Sequence, residues 1–199
     1  SFYQYIKKKK NKYNTYKKII KLLLKIQRIN TKKLINVYKN YKINLNTYNR
    51  NNLHKETDLF FKWYLVGVIG KINAKKYASL LRFELEKIYN KIYFKNTYFV
   101  HRDFHVSNIM LVGKKIGLID TQDAIIGNPS YDLVSLIDDV RIKISLSLKK
   151  KIFNFYLKKA PKIYRSKKNK FIDDFNILSI QRNLKILGVF YRLYKRDKK

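Results

Sequence analysis

Residues Tyr98–Ile142 read YFVHRDFHVSNIMLVGKKIGLIDTQDAIIGNPSYDLVSLIDDVRI, and the order of elements in this stretch decides the fold. Tyr98–His101 is short, aromatic and β-branched, as a strand requires. Ile109–Val112 and Ile116–Ile119 are apolar runs separated by Gly113-Lys114-Lys115, the pattern of a hairpin with glycine in its turn. Gly127-Asn128-Pro129-Ser130 then leads into a helix, with Asn128 or Ser130 as its cap and Pro129 in its first turn. Leu133, Leu136, Ile137 and Val140 are expected to form the buried stripe of that helix, so that Asp132, Asp138 and Asp139 face elsewhere.

On both sides of this window the apolar spacing is helical. Tyr16–Ile29 carries a broad apolar face studded with lysine. Asn30–Asn52, rich in Asn, Lys and Tyr, reads as an irregular connection. Leu53–Ile69 and Ala74–Phe94 return to helix, the second with Tyr77, Leu80, Leu81, Leu85, Ile88 and Ile92 recurring at three and four. Leu146–Leu157 and Phe171–Tyr194 follow, separated by Pro161 and the basic run Arg165–Lys170. In the last helix Ile177, Ile180, Leu184, Leu187 and Tyr191 fall in register. The expected fold class is mainly α with one small β-hairpin, organised as a single helical unit over residues 1–199, with its motif residues at 98–123.

Composition narrows the function. The chain has 46 Lys+Arg against 13 Asp+Glu, a net charge of +33, and no cysteine. Without thiols there is no disulfide framework and no thiolate metal site; a reducing cytoplasm is the expected location. No run of apolar residues is long enough to span a membrane. Lys, Ile, Asn and Tyr are enriched together and the positive charge is spread along the chain, as AT-rich coding would produce. Specific nucleic-acid recognition is therefore not expected, although non-specific, salt-sensitive adhesion is. Against this background Tyr98–Ile142 holds six of the thirteen acids and only four basic residues. Acids concentrated there point to chemistry.

The spacing suits phosphoryl transfer. That reaction needs a carboxylate to orient an attacking hydroxyl and take its proton, and oxygen ligands to hold Mg²⁺ against nucleotide phosphates. Asp103 precedes Asn108 by five positions, and Asp120 follows after the hairpin, which returns the chain to its starting end. Asp103 is thus the candidate base, and Asn108 and Asp120 are the candidate Mg²⁺ ligands. His101 is expected to brace the loop by hydrogen bonding. Asp132, at a helix start, is expected to accept backbone N–H bonds or tie down the loop. His105 either contacts substrate or packs.

His101-Arg102-Asp103-Phe104-His105-x-x-Asn108-Ile109-Met110 with Ile119-Asp120 resembles the aminoglycoside phosphotransferase family, small-molecule relatives of the protein kinases. Tyr131-Asp132-Leu133-Val134-Ser135-Leu136, Asp139-x-Arg141, Glu56-x-x-Leu59-Phe60-x-x-Trp63-Tyr64 and Gln181-Arg182-Asn183-Leu184-Lys185-Ile186-Leu187-Gly188 look like its amino-sugar kinases of cell-wall recycling. Those enzymes phosphorylate the anomeric hydroxyl of N-acetylmuramate and N-acetylglucosamine. The resemblance covers about residues 53–197. It implies ATP and Mg²⁺ as cofactors, an amino sugar as substrate, and Glu56, His105, Asp123 and Arg141 as residues lining the sugar pocket. For Arg141 a salt bridge to Asp138 or Asp139 is the competing role.

Thr121 departs from the pattern, standing where these kinases have an aromatic residue. No Gly-rich phosphate loop and no paired strand lysine and helix glutamate are found, so the chain is expected to be a C-terminal lobe, inactive without a nucleotide-binding lobe. A kinase acting on an aminoglycoside, choline or another alcohol is the neighbouring reading. A non-catalytic basic nucleic-acid-binding or scaffold module is the distant one.

Overall fold

A computed structural model describes residues 2–31, 45–113 and 115–198. The expected irregular connection at Asn30–Asn52 falls largely outside those residues. Helices α1 (Phe2–Lys7) and α2 (Lys12–Ile26) open the chain. Along α2, Ile19, Ile20, Leu23 and Leu24 are buried while its lysines stay at or near the surface. The expected helix thus starts one turn earlier and ends three residues sooner.

Helix α3 (Arg50–Leu59) begins with a reciprocal cap: Asn49 and Asn52 each accept from the other's backbone N–H, at 3.1 and 2.9 Å. This satisfies two otherwise orphaned donors. It passes directly into a π-helical turn, Phe60–Leu65, whose wider coil places five large side chains in six positions. Helix α4 (Val66–Tyr89) is interrupted at Gly70, where φ is 77° and ψ 161°. Only glycine enters that region without strain. The chain reverses there, and the arm after Gly70 runs antiparallel to α3. Arg82 bonds Asp58 at 2.7 Å and lies over the Phe61 ring, and Glu86 meets both Arg50 and His54.

The four strands are short: β1 (Tyr98–Val100), β2 (Ile109–Val112), β3 (Lys115–Leu118) and β4 (Ile125–Gly127). β2 and β3 form the expected antiparallel hairpin, with Ile109 opposite Leu118 and Gly113 at φ 57° beside the turn. β4 is not signalled by sequence. It pairs antiparallel with β1, and Thr47 bridges to Ile126 on its other side. Three residues with two-sided support are too few to show a period.

Helix α5 (Tyr131–Ile137) is buried along its whole length. The expected stripe is corrected on two counts. Asp132 and Asp139 are 0% and 6% exposed, whereas Val140 is 50% exposed. Pro129 precedes the helix, and Asn128 organises its entry by accepting from both the Ser130 N–H and the Ser130 hydroxyl. Helices α6 (Leu146–Lys159), α7 (Lys162–Ser166) and α8 (Lys168–Lys195) complete the chain. The basic separator before the last helix is itself largely helical.

Two apolar cores result. One joins α1, α2, α6 and the start of α8 through Ile19, Leu23, Tyr156 and Phe171, and reaches Phe104 and Ile109. The other joins α3, α4 and the middle of α8 through Leu53, Leu85, Tyr89, Ile177 and Leu178, and reaches Val100 and Ile125. α5 sits between them, giving Leu133, Leu136 and Ile137 to the first and Tyr131 and Val134 to the second. Residues 101–103 lie between Val100 in one core and Phe104 in the other. The acid-rich window is therefore held from both sides.

Candidate active site

The loop after β1 is fixed by backbone bonds before any side chain is aimed. Asp132, the second residue of α5, accepts from the N–H of His101 at 2.8 Å and of Arg102 at 3.1 Å. Full burial pushes its carboxyl up to about 7, opposed by those two amides and by the charge of Arg182. Arg102 has φ 70°, a left-handed conformation that non-glycine residues adopt only when their surroundings enforce it. Its N–H is held by Asp132, its carbonyl accepts from the Ser135 hydroxyl at 3.4 Å, and its guanidinium donates to Glu56 at 2.6 Å. These anchors hold the backbone immediately before Asp103.

His101 is buried, and its Nε2 lies 3.0 Å from the Ile119 carbonyl. Since a carbonyl only accepts, that nitrogen carries the proton. Burial lowers the His101 pKa despite that bond and the charges of Asp103 and Asp120. The ring therefore ties the loop to the end of the hairpin, beside both carboxylates.

Asn108 closes the same loop. Its side-chain amide donates to the Asp103 carbonyl at 3.1 Å, and its own carbonyl accepts from Ile119 N–H at 3.1 Å, continuing the β2–β3 ladder by one step. Asp120 follows at once with φ 60° and an exposed side chain. Asp103, Asn108 and Asp120 thus gather at one end of the hairpin. Among the described residues no three His, Cys, Asp or Glu side chains cluster as a metal cage. The Asn108 amide oxygen and the Asp120 carboxylate are two hard oxygen donors, fitting an Mg²⁺ ion that takes its remaining ligands from phosphates and water.

Of the residues expected to line the sugar pocket, His105 and Arg141 come together, while Glu56 and Asp123 share no described contact with them. His105 is buried beside Asp103, and its N–H bonds the Asp103 carbonyl at 2.9 Å. Burial, then the charge of Arg141, pull its pKa down to about 4. Arg141 donates to Asp139 from both its backbone and its guanidinium, at 3.0 and 3.3 Å. Asp139 also accepts from the Val106 N–H, so it supports the loop from below. Asp123 stands exposed on the turn between β3 and β4, and no described contact joins it to the others.

Glu56, expected to line the sugar pocket, is nearly enclosed. Its carboxylate accepts from Tyr48 at 2.7 Å, Arg102 at 2.6 Å, Gln181 at 3.0 Å, Lys185 at 3.0 Å and Tyr131 at 3.4 Å. Burial alone would raise its pKa; Lys185 and the hydrogen bonds from Tyr48, Gln181 and Arg102 lower it to about 2. Its acceptor positions are filled from within the protein, which makes it an internal brace. The salt bridge of Arg141 to Asp139, the competing role expected for Arg141, is present, and Ser135, Gln181 and Lys185, which the sequence shows only as parts of family-like motifs, make the other contacts described. On α8 the polar residues Asp174, Gln181 and Arg182 are buried, while Ile180 and Leu187 of the expected apolar stripe are exposed.

The chain matches the model of the phosphotransferase enzyme family, APH, over residues 9–166. It belongs to that family. It is 32% identical over 159 residues to an N-acetylmuramate/N-acetylglucosamine kinase of Neisseria meningitidis, a match covering 76% of this chain and 46% of the relative. The kinase of the same name from Pseudomonas aeruginosa is 30% identical over 155 residues, covering 74% and 44%. That of Caulobacter vibrioides is 32% identical over 108 residues, covering 52% and 29%. The chain spans less than half the length of these relatives. No described helix is long and apolar enough to cross a membrane.

Proposed function

We propose that the protein carrying these residues is an ATP-dependent kinase that phosphorylates the anomeric hydroxyl of an amino sugar of the N-acetylmuramate/N-acetylglucosamine type. The observation that carries this reading is the gathering of Asp103, Asn108 and Asp120 at the end of the β2–β3 hairpin, in a chain related to kinases with those substrates. Asp103 is the base: it orients the acceptor hydroxyl and takes its proton as the oxygen bonds to the γ-phosphorus and the bond to the β–γ bridging oxygen breaks, releasing ADP. Asn108 and Asp120 would hold Mg²⁺, which when bound neutralises charge on the nucleotide phosphates. His101 and Asp132 keep the loop in register, so that Asp103 meets the hydroxyl preorganised.

A panel of acceptors tests the assignment, with the full-length polypeptide that contains these 199 residues, ATP and Mg²⁺. Formation of sugar 1-phosphate from N-acetylmuramate or N-acetylglucosamine is the expected result. Turnover of an aminoglycoside or choline, with none of either amino sugar, would move the protein to another branch of the family.

A further inference from the structure

The chain reversal at Gly70 leaves a groove of about 700 Å³ between the π turn and the arm of α4 that follows the glycine. Its apolar lining is Phe61 and Val66 from one wall and Ala74 and Ala78 from the other. Phe61 and Ala74 are the most buried of these, at 4% and 3% exposed. On the arm, Ala74 and Ala78 stand one turn apart, and Lys71, Lys75 and Ser79 form the neighbouring row at the same spacing. The rim is cationic: Lys62, Lys71, Lys75 and Arg82 line the groove, and no acid does.

These features define the occupant. Arg82 is already neutralised by Asp58 at 2.7 Å. Lys62, Lys71 and Lys75 are exposed and form no ion pair with any described residue, so the rim offers uncompensated positive charge. A wall of alanines lets a helix approach closely, at the short end of the usual 8–10 Å between axes. A nucleic-acid backbone would pair with the lysines but leave the apolar lining unmatched. A flat bilayer does not enter a groove whose most apolar residues are its most buried. A second copy of the chain is also a poor match: its net charge is +33, and helices α1, α2, α6 and α7 contain no acid. Like charges brought together oppose association.

We propose that this groove docks an acidic amphipathic helix of a partner protein. The helix lays its apolar face against Phe61, Val66, Ala74 and Ala78, and its carboxylates meet Lys62, Lys71 and Lys75. Apolar burial supplies affinity, as in other helix-in-groove complexes, while the rim charges orient the helix and speed its arrival.

The test titrates the full-length polypeptide that contains these residues into a fluorescein-labelled Leu/Glu peptide of roughly 20 residues, its leucines at helical spacing. Anisotropy is read at physiological salt. The same composition in scrambled order separates groove docking from general attraction to a basic protein. The ordered peptide should bind with Kd on the order of micromolar and the scrambled one at least about tenfold more weakly. Ser79→Trp, which fills the groove from an exposed position, should raise Kd at least about tenfold with an unchanged melting temperature, and so should the pair Lys71→Glu and Lys75→Glu. The exposed pair Lys21→Glu and Lys25→Glu on α2, outside the groove, should change Kd by no more than about twofold. Absence of binding, equal binding of ordered and scrambled peptides, or an unchanged Kd in the groove variants would overturn the proposal. Sedimentation with phosphatidylserine vesicles that Ser79→Trp abolishes, in a protein that ignores the peptide, would overturn it in favour of a bilayer.

Discussion

Arg102 Nη2 lies 2.6 Å from Glu56 Oε1, so the residue beside Asp103 is tied to helix α3, forty-six positions earlier. Lys185 of α8 meets the same carboxylate oxygen at 3.0 Å. One carboxylate therefore joins the loop after β1, helix α3 and the last helix. Glu56→Gln would keep the shape but leave two cations beside a neutral amide. Breaking a buried ion pair from one side costs about 3–5 kcal/mol. For a protein of this size that corresponds to a fall in melting temperature of roughly 10 °C, measurable by calorimetry at neutral pH.

The same carboxylate gives an acid signature. Its pKa is lowered to about 2 from the ordinary 4.5, so the unfolded chain takes up its proton first. Its contribution is fully present above pH 4.5 and disappears as the pH falls through 2. Denaturant unfolding of the wild type between pH 5 and 2 should show this loss. Glu56→Gln should show a shallower slope over the same range.

Asp132→Ala would orphan the N–H groups of His101 and Arg102 inside the protein. Each buried unsatisfied donor costs about 1–3 kcal/mol, and the left-handed Arg102 backbone loses an anchor. Unfolding measurements should show a destabilisation of several kcal/mol. Turnover by the folded fraction should fall at least tenfold, because Asp103 is displaced.

Gly188 carries α8 against the π turn. A Cβ there would lie 2.3 Å from the Leu59 carbonyl carbon and 2.4 Å from the Phe60 nitrogen, both backbone atoms that cannot swing away. Gly188→Ala should destabilise by several kcal/mol through overpacking. Ala is otherwise the better helix former, so a rise in melting temperature would show that the two elements do not meet this closely.

Much of this was legible in sequence. The β2–β3 hairpin announces itself through two apolar runs and Gly113, and the loop before it through the spacing of Asp103, Asn108 and Asp120. What escaped has a common physical cause. Apolar periodicity finds the faces that meet hydrocarbon, but α5 and α8 turn acids and amides inward, where backbone amides and a distant carboxylate receive them. Asp132 and Asp139, expected to face away from the apolar stripe of α5, are nonetheless buried, as are Gln181 and Arg182, while Val140, Ile180 and Leu187, expected on apolar stripes, are exposed. Glu56 is legible as a motif residue, but only its partners from residues 48, 102, 131, 181 and 185 reveal it as enclosed. β4 is held by β1 and Thr47, neither of which is its neighbour in sequence.

The most direct test of the account is Asp103→Asn in the full-length polypeptide, assayed with ATP, Mg²⁺ and the preferred amino sugar. Asp103 is half-buried on a loop whose geometry is set by Asp132, Asn108 and His101, so the fold should survive the change. The account predicts a loss in kcat on the order of 10²–10⁴-fold, the usual contribution of a general base, with an unchanged melting temperature. Turnover equal to wild type would contradict it.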